Sequence, residues 1–132
     1  MLIDSNRLAK TRDFNLLVKR GQFVRGSFLD LKYLKLNQIQ NYFPKQENAE
    51  NFKKQLKLAI SISTKISKSA VVRNRLKRQL KEAARPFVAG GKIKNGYYLL
   101  FIAKPSILEK NFADISQEIK LLFNKINIFT VS

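Results

Sequence analysis

The sequence predicts an α+β fold, a single-domain α/β sandwich with helices packed on one mixed four-stranded sheet in the order α-β-β-β-α-β-α. Three observations support this prediction. Apolar residues recur at helical spacing in three separate segments. Residues Leu56 to Ser63 alternate between large apolar and small or polar side chains, which is typical of a half-buried strand. Residues Tyr97 to Ala103 form a continuous apolar run, as expected of a strand covered on both faces.

A loose basic lead-in is expected over residues 1–10, and a helix follows it. Thr11 can cap a helix that runs to about Arg20, and Gly21 suits the position just after its end. The apolar stripe of this helix consists of Phe14, Leu17 and Val18. The spacing alone leaves two interpretations of Phe14 open, packing in the core and contact with a ligand.

The next segment, Gln22 to Leu36, predicts two short strands, and the second carries Leu29, Leu31 and Tyr33 on one face. Residues 37–55 have no sustained periodicity and predict a long connecting loop with the potential for mobility. The strand predicted after this loop has a small, polar face that includes Ser61 and Ser63.

The most basic part of the chain is the helix predicted from Ser69, its N-cap, to about Pro86. Because proline disfavours helical geometry in the residue before it, the helix should end or kink at Arg85. One face is apolar and consists of Val72, Leu76, Leu80 and Ala83. The remaining surface is cationic and polar, with Arg73, Asn74, Arg75, Lys77, Arg78, Lys81 and Arg85.

This cationic surface is either an ordinary solvated helix face or a binding surface for a polyanion. A solvated face usually mixes both signs of charge, whereas Glu82 is the one acid between Lys53 and Lys94. Like charges one turn apart cost a few tenths of a kcal/mol in an isolated helix. Arginine offers a planar fork of donors that suits phosphate oxygens. We favour the polyanion, because it would convert this repulsion into binding.

The final helix is predicted from Asn111, its N-cap, to about Ile126, and Asp114 can complete the cap. Its core stripe consists of Ile115, Ile119, Leu122 and Ile126. These residues are interpreted as packing residues.

The composition indicates binding rather than chemistry. The net charge of +17 points to nucleic acid or an anionic membrane. The basic helix has no Trp or Phe between Ala70 and Ala84, and no apolar run reaches the length of a membrane span, so a membrane partner is disfavoured. The sequence contains no histidine and no cysteine, and its nine carboxylates are scattered. We therefore predict no catalytic residue and no metal site on the protein.

Two segments, Leu58–Lys65 and Lys68–Arg78, together resemble the signature of the bacterial ribonuclease P protein subunit. The run Arg73-Asn74-Arg75 is similar to the "RNR" helix with which that family binds RNA. The resemblance extends from about Leu8 to Ile126. It implies a ribosomal-protein-like fold with a left-handed βαβ crossover. It also implies a cytoplasmic protein that assists removal of the 5′ leader from precursor tRNA, with catalysis and Mg²⁺ on the RNA subunit.

The resemblance implies two sets of site residues. The RNA subunit would contact Arg73, Asn74, Arg75, Lys77, Arg78 and Lys81. The leader would lie in a groove formed by Phe14, Tyr33, Ser61, Ser63 and Lys65. The chain departs from the family's pattern at Val18 and Thr64, where relatives often carry an aromatic residue and a lysine, and in the longer loop at 37–55. The alternative function is that of a structural RNA-binding protein of the ribosomal type.

Overall fold

The structure is a computed structural model, and it describes residues 7, 8, 10–38 and 54–130. Its helices and strands follow the predicted order, which is confirmed: α1 (Thr11–Arg20), β1 (Gln22–Arg25), β2 (Leu29–Lys35), β3 (Leu56–Ser61), α2 (Ala70–Val88), β4 (Tyr97–Ala103) and α3 (Phe112–Lys125). Two 3₁₀ segments, Leu36–Gln38 and Pro105–Glu109, were not predicted. Residues 1–6 and 9 of the predicted lead-in and residues 39–53 of the predicted loop lie outside the described residues.

The four strands form one mixed sheet in the order β1-β2-β4-β3. The pairs β1–β2 and β2–β4 are antiparallel, whereas β3 and β4 are parallel. Parallel neighbours require a crossover connection, and α2 provides it. The predicted mixed four-stranded sheet is therefore confirmed, and the handedness of this crossover stays a prediction.

Strand β4 separates two apolar cores, one on each face of the sheet. Leu99 and Phe101 face α2 and α3 in the larger core, which also includes Leu80 and Phe123. Tyr98 and Leu100 face α1 in the smaller core, together with Leu17, Leu34 and Leu36. Successive side chains of a strand point to opposite faces, so both sets must be apolar. This arrangement explains the unbroken apolar run of β4.

Two of the predicted helix caps are confirmed. The Ser69 hydroxyl accepts a hydrogen bond from the Val72 amide at 3.3 Å. Asn111 and Asp114 form a reciprocal capping box at the start of α3. Helix α1 differs, because Thr11 is its first helical residue and Lys10 occupies the N-cap position without a side-chain cap.

Gly21 follows α1 as predicted, but in extended geometry with φ −70°. A Cβ atom at Gly21 would lie 2.5 Å from the Leu17 carbonyl oxygen. The close approach of the chain to α1 therefore favours glycine at this position, and a left-handed turn is not the reason.

Of the two alternatives predicted at Arg85, an end or a kink, the end is wrong, because α2 continues through Pro86 to Val88, and the kink stays a prediction. Contacts beyond the proline account for the difference. The ring of Phe87 packs edge-on against Phe123, with the ring centroids 5.7 Å apart, and Val88 is buried. This packing holds the last turn in helical geometry against the local preference of the residue before proline.

Candidate RNA-binding surfaces

Helix α2 presents its basic residues to solvent because its apolar face is anchored in the larger core. Leu76, Leu80, Ala83 and Ala84 are buried there. The side chains of Asn74, Arg75 and Arg78 are exposed, and those of Arg73, Lys77 and Lys81 are half-buried. The predicted two-faced character of this helix is confirmed.

Arg73 differs from the other cations of α2. Its Nη1 donates a hydrogen bond of 2.8 Å to the carbonyl oxygen of Ser67, in the turn that leads into the helix. Part of its donor capacity is therefore used to hold the chain at the helix N-terminus. Its backbone amide also belongs to the first turn, where it donates to the Ser69 carbonyl oxygen at 3.1 Å.

A cleft of about 640 Å³ lies between α2, the outer edge of β3 and residues Arg7 and Leu8. Arg7 and Leu8 lie beside β3, where the Leu8 amide donates to the Leu58 carbonyl oxygen at 3.0 Å. We call this cavity the α2 cleft. Its lining residues are Arg7, Leu8, Leu58, Ala59, Ile60, Asn74, Lys77, Arg78, Lys81 and Glu82. Four cations and one acid give the cleft a positive charge that suits an anion.

Four of the six predicted RNA-subunit contacts, Asn74, Lys77, Arg78 and Lys81, thus line one cavity. Arg7 joins them although it is distant in sequence. Its position on β3 is fixed by pairing with Leu58, which a helical periodicity argument does not reveal.

The sheet face that carries α1, here called the α1-side face, is only partly covered by that helix. Two rows of paired residues cross this face. One row runs Phe23, Lys32, Leu100, Ala59 and the other runs Arg25, Asp30, Ile102, Ser61. Phe14 packs half-buried in the smaller core, to which Ala59 and Ile102 also belong. Both interpretations of Phe14 are therefore compatible with its position, since the residue packs against the smaller core and is only half-buried.

The structure does not bring Tyr33 to the α1-side face, and this corrects the predicted groove. Tyr33 pairs with Leu99 and packs with the larger core on the opposite face. Its hydroxyl makes a 2.6 Å hydrogen bond with the Gln22 side chain. Burial raises the pKa of Tyr97, and the neighbouring Tyr33 raises it further. The position of Tyr33 was predictable from the sequence. Strand residues alternate with a period of two, so Tyr33 lies on the same face as Leu29 and Leu31.

Lys32, the residue before Tyr33, lies on the α1-side face instead. A Cβ atom built on Gly21 at the end of α1 would lie 3.1 Å from Lys32 Cγ, so this side chain is next to the helix. Lys32 was not among the predicted groove residues, although it is the neighbour of Tyr33 in the chain. Lys104 was not predicted either; its Nζ lies 3.0 Å from Asp30 Oδ1 and donates to the Gly26 carbonyl oxygen at 2.7 Å. Lys104 therefore neutralises the charge of Asp30 on the α1-side face.

The remaining predicted leader contacts lie at the end of β3. Ser61 is the last residue of the strand and is half-buried, so the strand is two residues shorter than predicted. Ser63, Thr64 and Lys65 follow it and are exposed. In sequence, these residues directly follow the part of β3 that lies on the α1-side face. Their side chains are accessible to a ligand.

Among the residues that the structure describes, no group of three or more His, Cys, Asp and Glu side chains could hold a metal ion. No helix in the described ranges has the length and apolar character needed to cross a membrane.

Comparison with known proteins identifies the family. The family model described as ribonuclease P matches residues 2–127 of this chain. The ribonuclease P protein component of Cyanothece sp. is 32% identical over 129 residues, covering 97% of this chain and 97% of the relative. That of Synechococcus sp. is 35% identical over 128 residues, covering 97% of this chain and 86% of the relative.

Solved structures show the same fold. The ribonuclease P protein of Staphylococcus aureus matches with a TM-score of 0.71 at 20% identity, covering 96% of this chain and 100% of that one. The ribonuclease P protein of Thermotoga maritima matches with a TM-score of 0.67 at 23% identity, covering 90% of this chain and 96% of that one. The match of the family model over nearly the whole chain, together with these relatives, shows that the chain belongs to the ribonuclease P protein component family.

Proposed function

We propose that this chain binds the catalytic RNA of ribonuclease P with one surface and the 5′ leader of precursor tRNA with another. Membership of the family makes it a component of an endoribonuclease ribonucleoprotein of tRNA processing. The observation that carries the finer proposal is the presence of two separate basic surfaces, the α2 cleft and the α1-side face. Each surface suits a different form of RNA.

The α2 cleft suits the phosphate backbone of a folded RNA. Lys77, Arg78 and Lys81 converge on it from α2, and Arg7 faces them from the edge of β3. Cations in such a cavity release counterions from RNA on binding, and the arginines can donate paired hydrogen bonds to phosphate. Asn74 adds a polar group that can donate to a phosphate or a ribose oxygen. The exposed Arg75 extends this surface beyond the cleft.

The α1-side face suits a single strand. Phe14 offers an aromatic edge, and Ala59 and Ser61 leave room for an extended backbone beside the sheet. Ser63 and Lys65 continue this surface past the end of β3 with a hydroxyl and a cation. Stacking and charge do not require a particular base sequence, which agrees with a leader of variable sequence. Tyr33 has no part in this proposal, because it lies on the opposite face.

In this proposal the RNA subunit supplies the catalytic groups and the Mg²⁺ ions, in the cytoplasm. Mg²⁺ prefers oxygen ligands and is commonly bound through phosphates. Phosphates are abundant on the RNA, whereas the acids Asp13 and Asp30 are each close to a lysine on the protein. The role of the protein is to raise the affinity of the complex for its substrate and for Mg²⁺.

The test is reconstitution. The protein is mixed with a ribonuclease P RNA at low Mg²⁺, and the cleavage of precursor tRNA is followed with and without the protein. We expect the protein to restore cleavage at a Mg²⁺ concentration at which the RNA alone is inactive. Equal binding to unrelated structured RNAs without any stimulation of cleavage would instead indicate the alternative, a general structural RNA-binding protein.

A further inference from the structure

Phe23 is an exposed aromatic residue on the edge strand β1. Its side chain is 48% exposed, whereas most phenylalanines of the described chain lie in the core. The register of the sheet fixes its direction, because Phe23 pairs with Lys32 and Lys32 pairs with Leu100, which belongs to the smaller core. Phe23 therefore lies on the α1-side face.

The surroundings of Phe23 combine an open ring with positive charge. Lys32 stands opposite it on β2, and Arg25 lies two residues along the same strand and on the same face. Across the sheet, the row that begins with Phe23 ends at Ala59, a small residue that packs against the smaller core, as Phe14 does. An accessible ring flanked by cations is the combination that binds single-stranded nucleic acid, since the base stacks and the phosphates pair with the cations.

Phe23 is better suited to stacking than Phe14. Phe14 is half-buried and part of its ring is committed to the core, whereas β1 is an edge strand and leaves about half of the Phe23 side chain accessible. Val18, the exposed apolar residue one turn after Phe14, has no aromatic ring. The ring of Phe23 on β1 is available for a second stacked base where Val18 offers none.

We propose that Phe23 stacks on a base of the single-stranded leader and so extends the leader-binding surface across the sheet to β1, with Lys32 and Arg25 pairing with the adjacent phosphates. This inference rests on the proposed function, because it needs a leader on the α1-side face.

The test uses the holoenzyme and compares dissociation constants for precursor tRNA with a leader of about ten nucleotides and for mature tRNA. Phe23→Ala should weaken binding of precursor tRNA about 5- to 150-fold, the range for loss of one stacked base, and leave binding of mature tRNA unchanged. Phe23→Tyr, which keeps the ring, should bind like the wild type. Phe112→Ala is the matched control, because Phe112 is 49% exposed and begins α3, which packs against the opposite face of the sheet.

Each outcome separates this inference from the proposed function. If the wild-type protein improves binding of precursor tRNA over mature tRNA but Phe23→Ala retains that difference, the role of Phe23 is wrong and the proposed function stands. Equal losses for Phe23→Ala and Phe112→Ala would also overturn the role of Phe23. If the wild-type protein itself makes no difference between the two tRNAs, the leader-binding part of the proposed function fails first.

Discussion

Arg73 and Arg78 belong to the same basic helix, yet the structure predicts different outcomes when each is changed to alanine. Arg78 is exposed and lines the α2 cleft, and it makes no hydrogen bond within the described residues. Arg73 is half-buried and donates to the Ser67 carbonyl oxygen at 2.8 Å. Arg78→Ala should therefore affect RNA binding alone, whereas Arg73→Ala should affect folding as well.

The magnitudes follow from the kind of bond that is lost. A charge-assisted hydrogen bond to phosphate contributes about 1–3 kcal/mol, so Arg78→Ala should weaken RNA binding about 5- to 150-fold. The free energy of unfolding of this variant should stay within about 0.5 kcal/mol of the wild-type value. Loss of the Arg73–Ser67 bond should lower the free energy of unfolding by about 1 kcal/mol, the typical net value of one hydrogen bond.

The assay is a salt titration of binding to the ribonuclease P RNA, paired with thermal unfolding of the free protein. With about five or six phosphate contacts, the slope of log K against log salt concentration should lie near −4 to −5 for the wild type. Arg78→Ala should make the slope less steep by about 0.7–0.9, since one contact is lost. Arg78→Lys, which keeps the charge, should retain the slope and lose only the paired geometry.

Two results would refute this reasoning. An unchanged slope for Arg78→Ala would mean that no phosphate lies in the α2 cleft at this residue. Equal effects of Arg73→Ala and Arg78→Ala on unfolding would mean that the bond to Ser67 contributes nothing to stability.

Three further predictions concern other parts of the molecule. Phe14→Ala should weaken binding of precursor tRNA by about 1–3 kcal/mol and leave binding of mature tRNA unchanged. An equal loss of affinity for both tRNAs would assign Phe14 to the core alone. Because burial raises the pKa of Tyr97 above 10.0, its contribution to stability is complete below pH ~10 and is lost as the pH rises through the folded-state pKa. Tyr97→Phe should accordingly move the alkaline unfolding midpoint, measured by circular dichroism, to higher pH, and a midpoint that stays in place would exclude this contribution. Glu118 is buried and accepts hydrogen bonds from the amides of Phe28 at 2.8 Å and Leu29 at 3.4 Å. Glu118→Ala should therefore lower the free energy of unfolding, measured by chemical denaturation, by about 2–3 kcal/mol. A decrease below about 0.5 kcal/mol would contradict this role.

Much of the fold was predictable because its signals are local. The alternation that begins at Leu56 and the apolar run of β4 each follow from the period of a strand and the number of its covered faces. The two-faced α2 follows from the period of a helix. Pro86 shows the limit of local rules, because contacts of Phe87 and Val88 with distant residues keep the helix intact beyond it.

The candidate site was predictable in its residues of α2 and less so in its assembly. The cleft exists because Arg7 pairs with β3 and so faces Lys77, a contact between segments far apart in sequence. Tyr33 has a residue type that suits the groove, but its position in β2 does not. The period of two places it on the same face as Leu29 and Leu31, which is the face of the larger core. Phe23 has no periodicity signal at all, since only the register of the sheet shows which face it occupies.

Strand β3 contributes to both proposed RNA surfaces through alternate residues. Leu58 and Ile60 face the larger core and line the α2 cleft. Ala59 and Ser61 lie on the α1-side face, and Ala59 also lines the cleft. A shift of one residue in a strand exchanges its two faces. Deleting one residue within β3 would therefore place small residues in the core and large apolar ones under the leader, while a deletion of two would restore the alternation. The alternation of β3 therefore tolerates substitutions within each face more readily than a change in strand length by one residue.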